Sequence, residues 1–216
     1  MRIQRRPVPP EQADRLWSDI DQATRGAGHK GRVCDGCTAV CAVCGSASCA
    51  CACSPHCPDA AVRLSCDPDF PIEPGILGLV FAMARSGLFT PCWSCEGHPA
   101  PRGGIWRLPG VWFYCDATVH VRLLADVVDR LANIRRLNAH WTVAVTFSDP
   151  DNPRTTFALQ PVAAPDQTLT LEQLQADATT IALALPEFMA AEARALQRAA
   201  RPALAGSPDS PIVAGD

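Results

Sequence analysis

Among its 216 residues the chain has one tyrosine, one lysine among 19 basic residues, and 6% aromatic side chains. No window approaches the ~18 consecutive apolar residues of a membrane-spanning helix. The N-terminal stretch MRIQRRPVPPEQADRLW is basic but has none of the roughly 7–15 apolar residues that form the middle of a secretory signal. These absences predict a cytoplasmic protein without a membrane segment, in a reducing compartment where clustered cysteines bind metal or do chemistry more often than they form disulfides. A paired-carboxylate motif, a phosphate-binding loop, a Ser/His/Asp arrangement and a glycine-rich nucleotide loop are all missing, so no reaction is assigned by motif. A formal net charge of −3 leaves no broad basic footprint for nucleic acid. Residues 1–33 carry seven Lys or Arg against four Asp or Glu, a local excess that fits a solvated face.

What the chain does have is cysteine: 12 residues, of which Cys34, Cys37, Cys41, Cys44, Cys49, Cys51, Cys53 and Cys57 fall in one stretch. Between Cys34 and Cys57 the large aliphatic residues are Val40 and Val43 alone. Such a segment cannot order itself around a hydrophobic core. Metal can supply the missing order, because CxxC is the shortest common loop that delivers two thiolates to one ion, and Cys34/Cys37 and Cys41/Cys44 are two such pairs. Their spacing also puts all four thiols on one stripe of a short helix. Soft thiolates select zinc, copper(I) or an Fe–S cluster over hard cations. Zinc is the first expectation and all eight cysteines are candidate ligands, with His56 as an additional one. The alternating row CACAC at 49–53 resembles metallothioneins in spacing, and CSPHCP at 53–58 is similar to the last CxxxCP of bacterial ferredoxins, with one residue rather than two between the preceding cysteines.

The rest of the chain reads as an α+β unit. PPEQADRLWSDIDQATRGAG spaces Ala13, Leu16, Trp17 and Ile20 along one helical face, and GILGLVFAMARSGL at 75–88 is apolar nearly all round. FTPCWSC and GVWFYC read as strands separated by a Pro/Gly loop. TVHVRLLADVVDRLANIRRLN carries Leu124, Val127, Val128, Leu131 and Ile134 at helical spacing, and HWTVAVTFSDPDNPRTTFALQPV alternates about a turn, as a hairpin does. The Ala- and Leu-rich pattern from Thr168 to Arg201 is helical, and Pro186 predicts two helices or a kink. The expected fold is an antiparallel or mixed four-stranded sheet covered by helices on one face. The expected divisions are an N-terminal helix and arm at 1–30, a cysteine-rich metal-binding insertion at 31–58, the α+β domain at 59–201 and a disordered tail at 202–216.

A second constellation lies inside that unit. TPCWSCEGHPAPRGG holds Cys92, Cys95 and His98, with Cys115 at the end of the next strand. Two readings stand: one metal held by all four, or a polar and catalytic site made by Cys95 and His98 alone. Strand alternation sends residues 92 and 95 to opposite faces, so joint chelation requires a turn there. Trp106, Arg102 and Arg107 in the following loop suit either a solvated surface or the wall of a pocket for an anion.

About ten residues, FTPCWSCEGH, resemble the Ser-Cys-x-Gly turn of the wybutosine-synthesis tRNA methyltransferase family. Ser94, Cys95 and Gly97 match, and His98 stands where that family has a basic residue. The resemblance implies an α+β fold with a functional loop at this point and methyl transfer to RNA from S-adenosylmethionine. The functional expectation is thus a thiolate metal-binding protein with a structural, sensing or storage cluster. An enzyme with a site around Cys95 and His98, and RNA as its partner, is the alternative.

Overall fold

The computed structural model describes residues 9–25, 64–65, 69–146, 154–162 and 169–204. The elements follow in the order α1 (Pro10–Thr24), α2 (Pro74–Ser86), β1 (Thr90–Cys95), β2 (His98–Pro99), β3 (Ile105–Arg107), β4 (Gly110–Tyr114), α3 (Thr118–Asn133), β5 (His140–Thr146), β6 (Thr156–Val162) and α4 (Leu171–Leu204). The cysteine stretch from Cys34 to Cys57, and the metal ligation expected of it, lie outside the described residues.

Local chemistry accounts for where the helices begin and end. Both α1 and α2 have proline in the first turn, where a missing N–H costs no helical hydrogen bond. α2 stops at Gly87, whose φ of 66° is left-handed and whose N–H bonds the Ala84 carbonyl. α3 buries Val119, His120, Leu123, Leu124, Val127, Val128 and Leu131, a run at three- and four-residue intervals that forms one face. It ends in a Schellman arrangement, in which the N–H groups of Arg135 and Arg136 donate to the carbonyls of Ala132 and Leu131, both at 2.9 Å. Arg135 therefore sits at a φ of 56°, a left-handed position that favours glycine. Arg135→Gly is expected to raise stability by about 0.5–1 kcal/mol, read as the urea midpoint at unchanged slope.

Strands β1, β4, β6 and β5 form a sheet in that spatial order, every neighbouring pair antiparallel, which is the expected α+β architecture with four strands. Val111 pairs with Leu159 and Phe113 with Phe157, and all four side chains are buried. Trp141, fully buried on β5, stands opposite Pro161. Proline is tolerated on this inner strand because the pairing of β6 with β4 has already ended at Leu159.

α4 packs against α1, α2 and α3 and so closes the core. Its buried stripe is Leu174, Ala178, Ile181, Leu185, Met189 and Ala193. Of the two outcomes expected at Pro186, division into two helices does not occur: α4 is one helix through it, and on to Leu204 rather than to 201. Proline costs a helix interior about 3 kcal/mol. Burying side chains such as Leu185 and Met189, on either side of it in the same stripe, returns about 1.5–3 kcal/mol each.

The side chain of Asp177 fastens α4 to the turn before β5. Its carboxylate is fully buried and accepts four hydrogen bonds: Asn138 N–H and Asn138 Nδ2 at 2.8 Å, Ala139 N–H at 2.9 Å and Trp141 Nε1 at 3.2 Å. His120 is likewise structural, its Nε2 lying 2.7 Å from the Asp19 carbonyl of α1. No helix among the described residues is long and apolar enough to cross a membrane.

Candidate metal centre

The connection between β1 and β4 is where the fold departs from a plain meander. The expected Pro/Gly loop instead holds a two-stranded ribbon, β2 with β3, in which His98 pairs with Arg107. Gly97 makes the tight corner between β1 and the ribbon. It has a φ of 85°, and a Cβ added there would lie 2.6 Å from Leu171 Cδ1 and 3.0 Å from Pro109 Cδ. Its N–H donates to Cys95 Sγ at 3.4 Å. The corner folds His98 back towards Cys95, which a continuing strand would not do.

Glu73 completes the cluster. One ligand atom from each of Glu73, Cys95 and His98 lies within 4.8 Å of the other two. Glu73 precedes Pro74 at the start of α2, but its side chain does not cap its own helix. Glu73 Oε2 accepts the Glu96 N–H at 2.8 Å, and Glu96 Oε2 accepts the Gly75 N–H at 2.7 Å. Each carboxylate thus satisfies a main-chain donor of the other's segment, so the N-terminus of α2 is tied to the corner after β1. From α4, Gln175 Nε2 donates to the Glu96 carbonyl at 3.1 Å. With Oε2 engaged, Glu73 Oε1 faces His98 Nε2 at 3.3 Å. The imidazole is held from its other side by a stacked Trp106, ring centroids 5.7 Å apart and 19° from parallel.

Of the three residues singled out with Cys95, the structure brings only His98 to it. Cys92 is the extra residue of a bulge between Pro91 and Trp93, exposed, and outside the three-ligand cluster. Cys115 follows Tyr114, whose partner Thr90 is at the far end of β1 from Cys95, a strand length of roughly 17 Å away. Its thiol meets the carbonyls of Ala117 and Leu88 at 3.2 and 3.4 Å. A centre made jointly by Cys92, Cys95, His98 and Cys115 is therefore not assembled. Trp106 and Arg107 do line a pocket with the cluster, whereas Arg102 is exposed in the turn and does not.

Burial pushes the Cys95 thiol above its ordinary value; the Gly97 N–H bond pulls it back, the Glu73 charge raises it again and Arg107 lowers it. Cys95 is therefore a neutral thiol near pH 7, unsuited to acting as a free nucleophile. A divalent cation reverses that balance, because it favours the thiolate outright. The donor set suits such an ion: a thiolate sulfur, an imidazole nitrogen and a carboxylate oxygen are the ligand types of zinc. Tight hydrogen bonds to the ligands themselves, as at Glu73 Oε2, are the usual support of a metal centre.

The cluster opens onto a groove of about 790 Å³ between residues 64–65 and 69–73 on one side and strand β1 on the other. Against family models, curated proteins and solved structures alike, comparison of this chain returned no match.

Proposed function

We infer that the protein binds a thiophilic divalent metal, zinc in the first instance, through Glu73, Cys95 and His98. The observation that carries this reading is the convergence of three chemically different donors within 4.8 Å on positions already held by the fold. Structural zinc sites are closed by four protein ligands, whereas three protein ligands leave a coordination position for a molecule from outside. The opening of this cluster onto a groove favours the second kind of site. The eight cysteines from Cys34 to Cys57 are proposed as a separate thiolate module, for zinc or, with softer chemistry, copper(I) or an Fe–S cluster.

The test is a metal count on the full chain dialysed against zinc, beside the double variant Cys95→Ser/His98→Ala. The variant is expected to hold one zinc fewer per chain, and an unchanged count would overturn the reading. Affinity of that one zinc should depend on pH in a definite direction. Cys95 must lose a proton to bind, and burial holds that proton on. Below the thiol's pKa, affinity is expected to rise about tenfold per pH unit for that proton alone, measured as zinc competition against a chromophoric chelator from pH 6 to 8.

The enzyme reading retains one supporting observation: Ser94, Cys95 and His98 of the Ser-Cys-x-Gly turn all line the groove. Titration calorimetry with S-adenosylmethionine tests it, and the absence of binding heat would remove methyl transfer.

A further inference from the structure

The groove beside the cluster carries information about what enters it. Among the described residues, the exposed large aromatic side chains are Phe70, Trp93 and Trp106, at 76, 36 and 62% exposure, and all three line this groove. Aromatic rings left in water forfeit about 25 cal/mol per Å² of apolar area. Their convergence on one concavity marks a surface stabilised by an apolar, planar occupant. A volume of about 790 Å³ is that of a small-molecule site.

The charges select the other end of that occupant. A divalent cation on one thiolate, one carboxylate and one neutral imidazole is formally neutral, so the net charge of the centre does not by itself set the charge of the occupant. Arg107 breaks the tie. Its guanidinium lies 4.7 Å over the Trp93 ring, and it stands opposite His98 in the ribbon, lining the groove together with Cys95 and His98. The other lining acid besides Glu73 is Asp69, which already has a partner. One arginine suits a monoanion; a phosphate monoester, with about −1.5 to −2 charge, would call for a denser cationic lining.

We propose that the groove binds an aryl-substituted carboxylate, its carboxylate paired with Arg107 at the end of the groove that holds the metal centre and its ring lying against Trp93 and Trp106. The proposal rests on the metal reading of Glu73, Cys95 and His98. Isothermal titration calorimetry on the zinc-loaded full chain, with phenylacetate as probe and phenylacetamide as its uncharged counterpart, tests it. Phenylacetate is expected to bind at least about tenfold more tightly than the amide, and Arg107→Met to abolish that difference while the zinc count stays unchanged. Trp106→Ala is expected to weaken phenylacetate about fivefold. Equal binding of acid and amide, wild-type affinity in Arg107→Met, or equal affinity for the metal-free protein would each overturn the proposal. These failures are distinct from failure of the metal reading, which is a zinc count unmoved by Cys95→Ser/His98→Ala. Arg107 and Trp106 are both exposed, so neither variant depends on repacking a core.

Discussion

Replacing Cys95 with alanine is expected to weaken zinc at the Glu73/Cys95/His98 centre by about 10²–10³-fold. A bound structural zinc represents about 10–16 kcal/mol, so one ligand of three or four carries roughly 3–4 kcal/mol, and each 1.4 kcal/mol is about a factor of ten. Glu96→Ala provides the more discriminating comparison. Its carboxylate belongs to no ligand group, but it accepts the Gly75 N–H and so ties α2, which begins directly after Glu73, to the corner carrying Cys95 and His98. A loss of about 10–100-fold is expected there, the usual effect of removing support from behind a ligand. Competition against a chelator of known affinity reads both. If Glu96→Ala matched wild type while Cys95→Ala lost the metal, the ligands would be positioned by something other than the reciprocal carboxylate bonds.

Asp177→Ala is expected to destabilise the fold by about 3–5 kcal/mol. The carboxylate is fully buried and accepts from Asn138, Ala139 and Trp141. Truncation leaves the Ala139 N–H and Trp141 Nε1–H in a dry interior, and each orphaned donor costs about 1–3 kcal/mol. Asp177→Asn is the informative companion, since one of its amide positions is a donor facing donors; it should recover only part of the loss. Denaturant unfolding, with the slope unchanged, measures both. A loss below about 1 kcal/mol for the alanine variant would mean that water reaches these donors and that Asp177 is not the fastening of α4.

Much of this architecture is readable from local patterns. The stripe from Val119 to Leu131 on α3 repeats at helical intervals, and the sequence about Trp141 alternates apolar and polar residues, although β6 itself buries Thr156 to Leu159 in succession. Pro186 does not divide α4 because propensity is local while the burial that overrides it, of Leu185 and Met189 in a core shared with α1, α2 and α3, is not. The ribbon β2–β3 hides in a stretch rich in Pro and Gly: its strands have two and three residues, and Gly103 and Gly104, at φ of 90° and 80°, read as loop. Strand alternation likewise fails to anticipate the bulge at Cys92.

The candidate site was half legible. Cys95 and His98 stand three apart around a glycine, the spacing of a chelating turn, and chemistry alone directs attention to them. Glu73 has no such mark. In PIEPG it reads as a residue before a helix-starting proline, and its place beside His98 comes from the packing of α2 against β1 and from the bond between its carboxylate and the Glu96 amide. Its partners are distant in sequence, so no local pattern encodes the encounter.

Anomalous diffraction at the zinc absorption edge, on crystals of the full chain grown with zinc, tests the central claim most directly. The account predicts a peak bonded to Cys95 Sγ, His98 Nε2 and a Glu73 carboxylate oxygen, at distances of about 2.0–2.3 Å. Zinc found elsewhere in the chain, with His98 Nε2 still paired to Glu73 Oε1 and no peak between them, would contradict it.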